Sequence, residues 1–154
     1  MPKPSHTIVA AMAATLVACG NGGATFCGWH SLPDDGWRRT DTARFTIVTP
    51  AATGTTATTG ELRLRVAEGF PYNSLTLVVT GQAGGRQLQC DTIECRVADE
   101  RGRLYGHGTG LHTYTFPVAI AAAPAADTLS FTIHHIMRRE TLPAVAAVGL
   151  AVER

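Results

Sequence analysis

Thirteen Lys and Arg against twelve Asp and Glu in 154 residues leave a formal net charge of +1, and no stretch gathers basic side chains into a patch. Nucleic acid and anionic lipid surfaces, which are recognised through dense positive charge, are therefore not expected as partners. The length allows one domain with a real core and is too short for two.

The chain starts with Lys3 and an apolar run, Ile8–Ala18, which falls well short of the roughly 20 residues that span a bilayer. The run ends in Leu16-Val17-Ala18-Cys19. Small residues before a cysteine, with Leu at the third position back, resemble the lipobox of bacterial lipoproteins. The resemblance implies a signal over residues 1–18, cleavage before Cys19, and lipidation of Cys19 by acyl chains such as palmitate. The alternative is a plain secretory signal cut after Ala18. Residues 19–26, with small side chains over Gly20–Ala24, read as a lipidated tether, and 27–154 as a single domain. Lys3 is the sole lysine, so the chain beyond the signal balances 12 Arg against 12 acids.

The segment Trp29-His30-Ser31-Leu32-Pro33-Asp34-Asp35-Gly36-Trp37 is turn-rich and predicts irregular structure. Beyond it the apolar period is two. Phe45 and Ile47 alternate with Arg44, Thr46 and Val48, and Leu62, Leu64 and Val66 alternate with Glu61, Arg63 and Arg65. Such alternation predicts half-buried strands. Leu75, Leu77 and Val79 make another apolar face, and strand-like runs follow at Leu88–Val97, Tyr114–Ile120, Leu129–His134 and Val145–Val152. Turn signals separate them, among them Gly69-Phe70-Pro71, Gly81–Gly85, Asp99–Gly102 and Pro143. Thr49–Thr59 reads as a long hairpin loop. Ala119–Ala126 is the one helix candidate, interrupted by Pro124 and lacking an N-cap. Seven or eight short strands predict an all-β fold, an antiparallel, jelly-roll-like β-sandwich.

Chemistry is sparse. After Cys19 the cysteines are Cys27, Cys90 and Cys95. On one extended strand Cys90 and Cys95 would point to opposite faces about 16 Å apart, beyond disulfide reach. His107 and His112 flank Gly106–Gly110 without a third ligand at fixed spacing, and His134 and His135 face opposite sides of a strand. No metal or other cofactor is expected. Glu94 and Asp99 form the nearest approach to a glycosidase-like acid pair. Asp99–Arg103 reads as a charged turn rather than a calcium loop. Trp29 and Trp37 bracket a polar loop. Either they stack on sugars, together with Tyr105, or they plug an end of the sandwich.

With these residues laid out, the chain resembles the gliding-motility lipoprotein family GldH along nearly its whole length. The signal and lipobox come first, followed by the Trp37 region and by Phe45 opening a strand. Phe70-Pro71-Tyr72-Asn73-Ser74-Leu75 is similar to the family's aromatic-Pro-Tyr turn, and Asp91-Thr92-Ile93-Glu94 to its Asp-Thr-Leu-Glu segment. Gly102–Gly110 is similar to the family's glycine-rich run. Met137-Arg138-Arg139-Glu140-Thr141-Leu142-Pro143, then Val148-Gly149-Leu150, resemble its closing signature. In the glycine-rich run Leu104-Tyr105 stands where the family carries tryptophan.

The resemblance implies a non-enzymatic lipoprotein, held in the membrane by Cys19. It would be an accessory part of gliding or cell-envelope machinery that acts through contacts with other envelope proteins. Gly20, where many inner-membrane lipoproteins carry Asp, favours the outer membrane, facing the periplasm. Trp29, Trp37, Tyr72, Met137 and Arg138 are the expected interaction surface. The alternative is a lipid-anchored module that binds carbohydrate or peptidoglycan in the cell wall.

Overall fold

The computed structural model describes residues 24–48, 58–121 and 128–153. The signal segment, Cys19, Gly20–Gly23, most of the threonine-rich stretch and residues 122–127 lie outside them. The described residues hold strands alone: β1 (Ala24–Ser31), β2 (Trp37–Arg38), β3 (Ala43–Val48), β4 (Thr58–Ala67), β5 (Ser74–Ala83), β6 (Arg86–Arg96), β7 (Leu111–Ile120), β8 (Thr128–His135), β9 (Thr141–Leu142) and β10 (Val145–Glu153).

Eight long strands form two four-stranded antiparallel sheets, ordered β1-β10-β4-β7 and β3-β8-β5-β6. Among these eight, the first pairs with the last and the second with the seventh. The third pairs with the sixth and the fourth with the fifth. Nested pairing of this kind is one long hairpin rolled over on itself, the jelly roll. Its tip is the β5–β6 turn, where Gly84 and Gly85 take φ of 56° and 79°, the positive values that a two-residue type I′ turn needs at both positions. The short β2–β9 ribbon continues the two arms where they pass from one sheet to the other.

Alternation in the sequence becomes the core directly. Leu62, Leu64 and Val66 from one sheet meet Phe45, Ile47, Leu75, Leu77, Val79 and Ile133 from the other in one buried cluster. The expected strands from β3 onward appear in place, and three expectations are corrected. Ala24–Ser31 is a strand, not tether followed by turn. Its inward positions are Phe26 and Gly28, while Cys27 and the large Trp29 face outward, so no apolar alternation is visible. Gly28 must be small, since a Cβ there would lie 2.8 Å from the Phe26 ring. Second, Ala119 and Ile120 close β7 rather than opening a helix. Third, β3 and β4 belong to different sheets and do not pair as a hairpin, Thr58 and Thr59 already lie in β4, and residues 49–57 fall outside the described residues.

Candidate functional site

One end of the sandwich gathers most of the residues that the sequence singles out. β1 runs from Ala24 at the opposite end toward Ser31 at this one, a span of about 25 Å at strand rise. The β1–β3 segment, the β4–β5 turn, the loop after β6 and the β8–β10 segment all converge here.

Trp37 is the plug. It is fully buried on β2, paired with the equally buried Leu142 of β9, and its Nε1–H donates to the Asp41 carbonyl at 2.9 Å. It is therefore not part of an exposed surface. His135, also fully buried, packs edge-to-face against the indole with centroids 5.3 Å apart. Its Nε2–H donates to the Trp37 carbonyl at 3.0 Å, and its Nδ1 has no hydrogen-bond partner. Burial pushes the His135 pKa down. The Trp37 carbonyl opposes that shift, the positive groups Arg39 and His134 add to it, and Glu140 works against it.

Tyr72 is half-buried, edge-to-face with Phe70 at 5.7 Å. The turn that carries it is tied down because the Asn73 carbonyl accepts from the backbone N–H of Val97 and of Ala98. Met137 is half-buried, and its Sδ accepts the Thr76 N–H at 3.4 Å. The Arg138 side chain is exposed. Sequence reasoning missed the residue that orders this loop: Arg39, whose Nη2 donates to the carbonyls of both Met137 and Arg138 at 2.6 Å. No sequence signal marks that contact, which joins opposite ends of the chain.

Trp29 lies on the outer face of the first sheet. It sits against Gly149, whose place a Cβ would fill at 2.9 Å from the ring, and the Arg65 guanidinium stands 4.1 Å from the ring centroid. Beside it Arg63 pairs with Glu61 at 2.6 Å and reaches the Cys27 sulfur at 3.3 Å. The ring is thus half-buried and covered by a cation. Tyr105 stays half exposed, with its hydroxyl donating to the Ala98 carbonyl.

The remaining chemistry-bearing residues stand apart. Asp99 accepts from the N–H groups of Arg101 and Arg103 at 2.9 Å, so its carboxylate caps its own turn. Those bonds, first that from Arg103, hold its pKa below the ordinary value. Glu94 lies exposed on β6 opposite Thr76. Cys90 is exposed on that strand and Cys95 is buried, both as free thiols. Burial, with the charge of Glu94, pushes the Cys95 pKa up to about 12. Nδ1 of His112 donates to the Gly106 carbonyl. Among the described residues no group of three or more His, Cys, Asp or Glu converges as metal ligands would. Nor, among the described residues, is any helix long and apolar enough to cross a membrane.

A family model described as GldH lipoprotein matches residues 25–152, which takes in nearly all of both sheets. No curated protein matches the sequence. Among solved structures, dimeric latent PorU from Porphyromonas gingivalis is similar at 10% identity with a TM-score of 0.39. The match covers 92% of this chain and 14% of that chain.

Proposed function

The chain belongs to the GldH lipoprotein family, and from that premise we propose that it is a non-enzymatic accessory protein of gliding or cell-envelope machinery. In this reading it is anchored through acylated Cys19 in the outer membrane, faces the periplasm, and works through contacts with other envelope proteins. The observation that carries the reading is the polarity of the sandwich. Strand β1 begins at Ala24, a few residues after Cys19. An anchor there would tether the domain by the end where β1 starts. Tyr72, Met137 and Arg138 would then be presented about 25 Å further from the membrane, where a partner can reach them.

The test is deletion of the gene, complemented by wild type or by Cys19→Ala, scored for movement and envelope integrity and fractionated for membrane association. Wild-type rescue that Cys19→Ala fails to match, with wild type in the membrane fraction, is the expected result. Wild-type protein recovered outside the membrane fraction, or a deletion strain with no movement or envelope defect, overturns the reading.

A further inference from the structure

We infer that the outer face of the β1-β10-β4-β7 sheet docks an acidic segment of a partner protein, with Arg65 as the anion-recognising group and Trp29 as its support. The inference rests on the reading that this protein works through protein contacts, and it names the chemistry of the contact.

The face is built around a trough. One of its two central strands, β10, turns Ala147, Gly149 and Ala151 outward, and all three are buried. Long side chains from the strands on either side fold across them. Trp29, paired with Gly149 in the β1–β10 ladder, takes the space that a Cβ at 149 would occupy. Arg65, on the far side in β4, brings its guanidinium over that ring.

The two arginines of this face differ in what they have left to give. Arg63 is engaged: its Nε and Nη2 both bond Glu61 and its Nη1 reaches Cys27. Arg65 has no carboxylate within ion-pair distance among the described residues. Stacking consumes the flat face of a guanidinium and leaves its N–H edge in plane, which is the geometry a carboxylate meets with two parallel hydrogen bonds. The stack also orders the side chain beforehand, so less rotamer freedom is lost on binding. Glu61 is neutralised by Arg63, and the neighbouring outward residues of β7, Thr113, Thr115, Pro117 and Ala119, carry no charge. Among the described residues, Arg65 therefore offers a positive charge that no carboxylate matches.

A protein segment fits this surface better than a saccharide. Sugars stack on open aromatic faces, whereas Trp29 is seated on Gly149 and covered by Arg65. Trp and Arg around a buried, small-residue patch are instead the composition of protein-interface hot spots.

The test uses the full-length lipoprotein in detergent micelles and fluorescence anisotropy of two labelled peptides, a Ser-Glu repeat and the matching Ser-Gln repeat, with polygalacturonate as a carboxylated glycan. Wild type is expected to bind the Glu peptide and not the Gln peptide. Arg65→Gln should weaken that binding at least tenfold, Arg65→Lys should fall between, and Arg101→Gln should leave it unchanged. Thermal unfolding of each variant confirms folding. Equal binding by wild type and Arg65→Gln, or no binding of the Glu peptide by wild type, overturns the inference. So does Arg65-dependent binding of polygalacturonate in preference to the peptide, which would make the ligand a glycan. In the deletion strain, an anchored Arg65→Gln protein that restores full function overturns this site alone. Failure of the proposed function itself appears instead as a deletion without phenotype.

Discussion

His135 and Trp37 hold each other twice, through an edge-to-face ring contact of 5.3 Å and through the Nε2–H···O bond from His135 to the Trp37 backbone at 3.0 Å. The pair joins the last residue of β8 to the first of β2 and seals the end of the jelly roll. A carbonyl can only accept, so the proton sits on Nε2 and Nδ1 keeps a lone pair. A second proton on Nδ1 would place a charge in the core with no acceptor beside it.

That arrangement makes stability depend on pH. The folded protein depresses the His135 pKa below its ordinary 6.5, chiefly through burial. The unfolded chain therefore binds more protons as pH falls through that region, and the contribution present above about pH 6.5 is lost below it. Urea unfolding at pH 7.5 and pH 5.0 should give a lower midpoint at the acid pH. His135→Gln should reduce that difference, and an unchanged difference in the variant would remove His135 as its source.

Arg39 orders the Met137-Arg138 loop through the two carbonyls it bonds. Arg39→Gln should cost about 1 kcal/mol, as expected for exposed hydrogen bonds. It should also speed limited trypsin cleavage after Arg138 and Arg139 several-fold. Cleavage at the wild-type rate would mean that the loop is held by Met137 and Thr76 instead.

Ala144 has a φ of 63°. It follows Pro143 in the tight turn between β9 and β10, where a type II turn wants glycine. Replacing it with glycine removes the clash of a Cβ in the left-handed region. Ala144→Gly should raise stability by about 1 kcal/mol, read as a higher urea midpoint with an unchanged slope.

Gly149 is under the opposite constraint. A Cβ at this position meets the Trp29 ring at 2.9 Å and the Gly28 carbonyl at 3.1 Å, so Gly149→Ala must displace the indole. Overpacking of this kind costs about 1–3 kcal/mol. Trp29 emission should shift as the ring leaves Arg65. Unaltered emission would mean that the backbone gives way rather than the ring.

Much of the fold is legible in the chain because a half-buried strand writes its burial as alternation. Glu61–Val66 shows this most clearly: every apolar residue there is buried and every charged one faces out. β1 hides because its inward position 28 must be glycine and its outward position 29 is tryptophan, which inverts the signal. β2 and β9 are two residues each, too short for any period. Of the expected surface, Tyr72, Met137 and Arg138 do share one end. Trp37 went into the core and Trp29 onto a sheet face. The residues that complete those sites, His135, Arg39 and Arg65, stand in no motif.

The sequence by itself determined the all-β class, the apolar faces and the resemblance to a lipoprotein family, since local alternation and ordered short motifs survive without knowledge of distant contacts. Only the tertiary structure decided what each aromatic does. Whether an indole is a plug, a support or an open platform depends on which strand lies across from it. Nested pairing brings Gly149 beside Trp29 and His135 against Trp37, and those juxtapositions join residues so far apart in the chain that no local pattern encodes them.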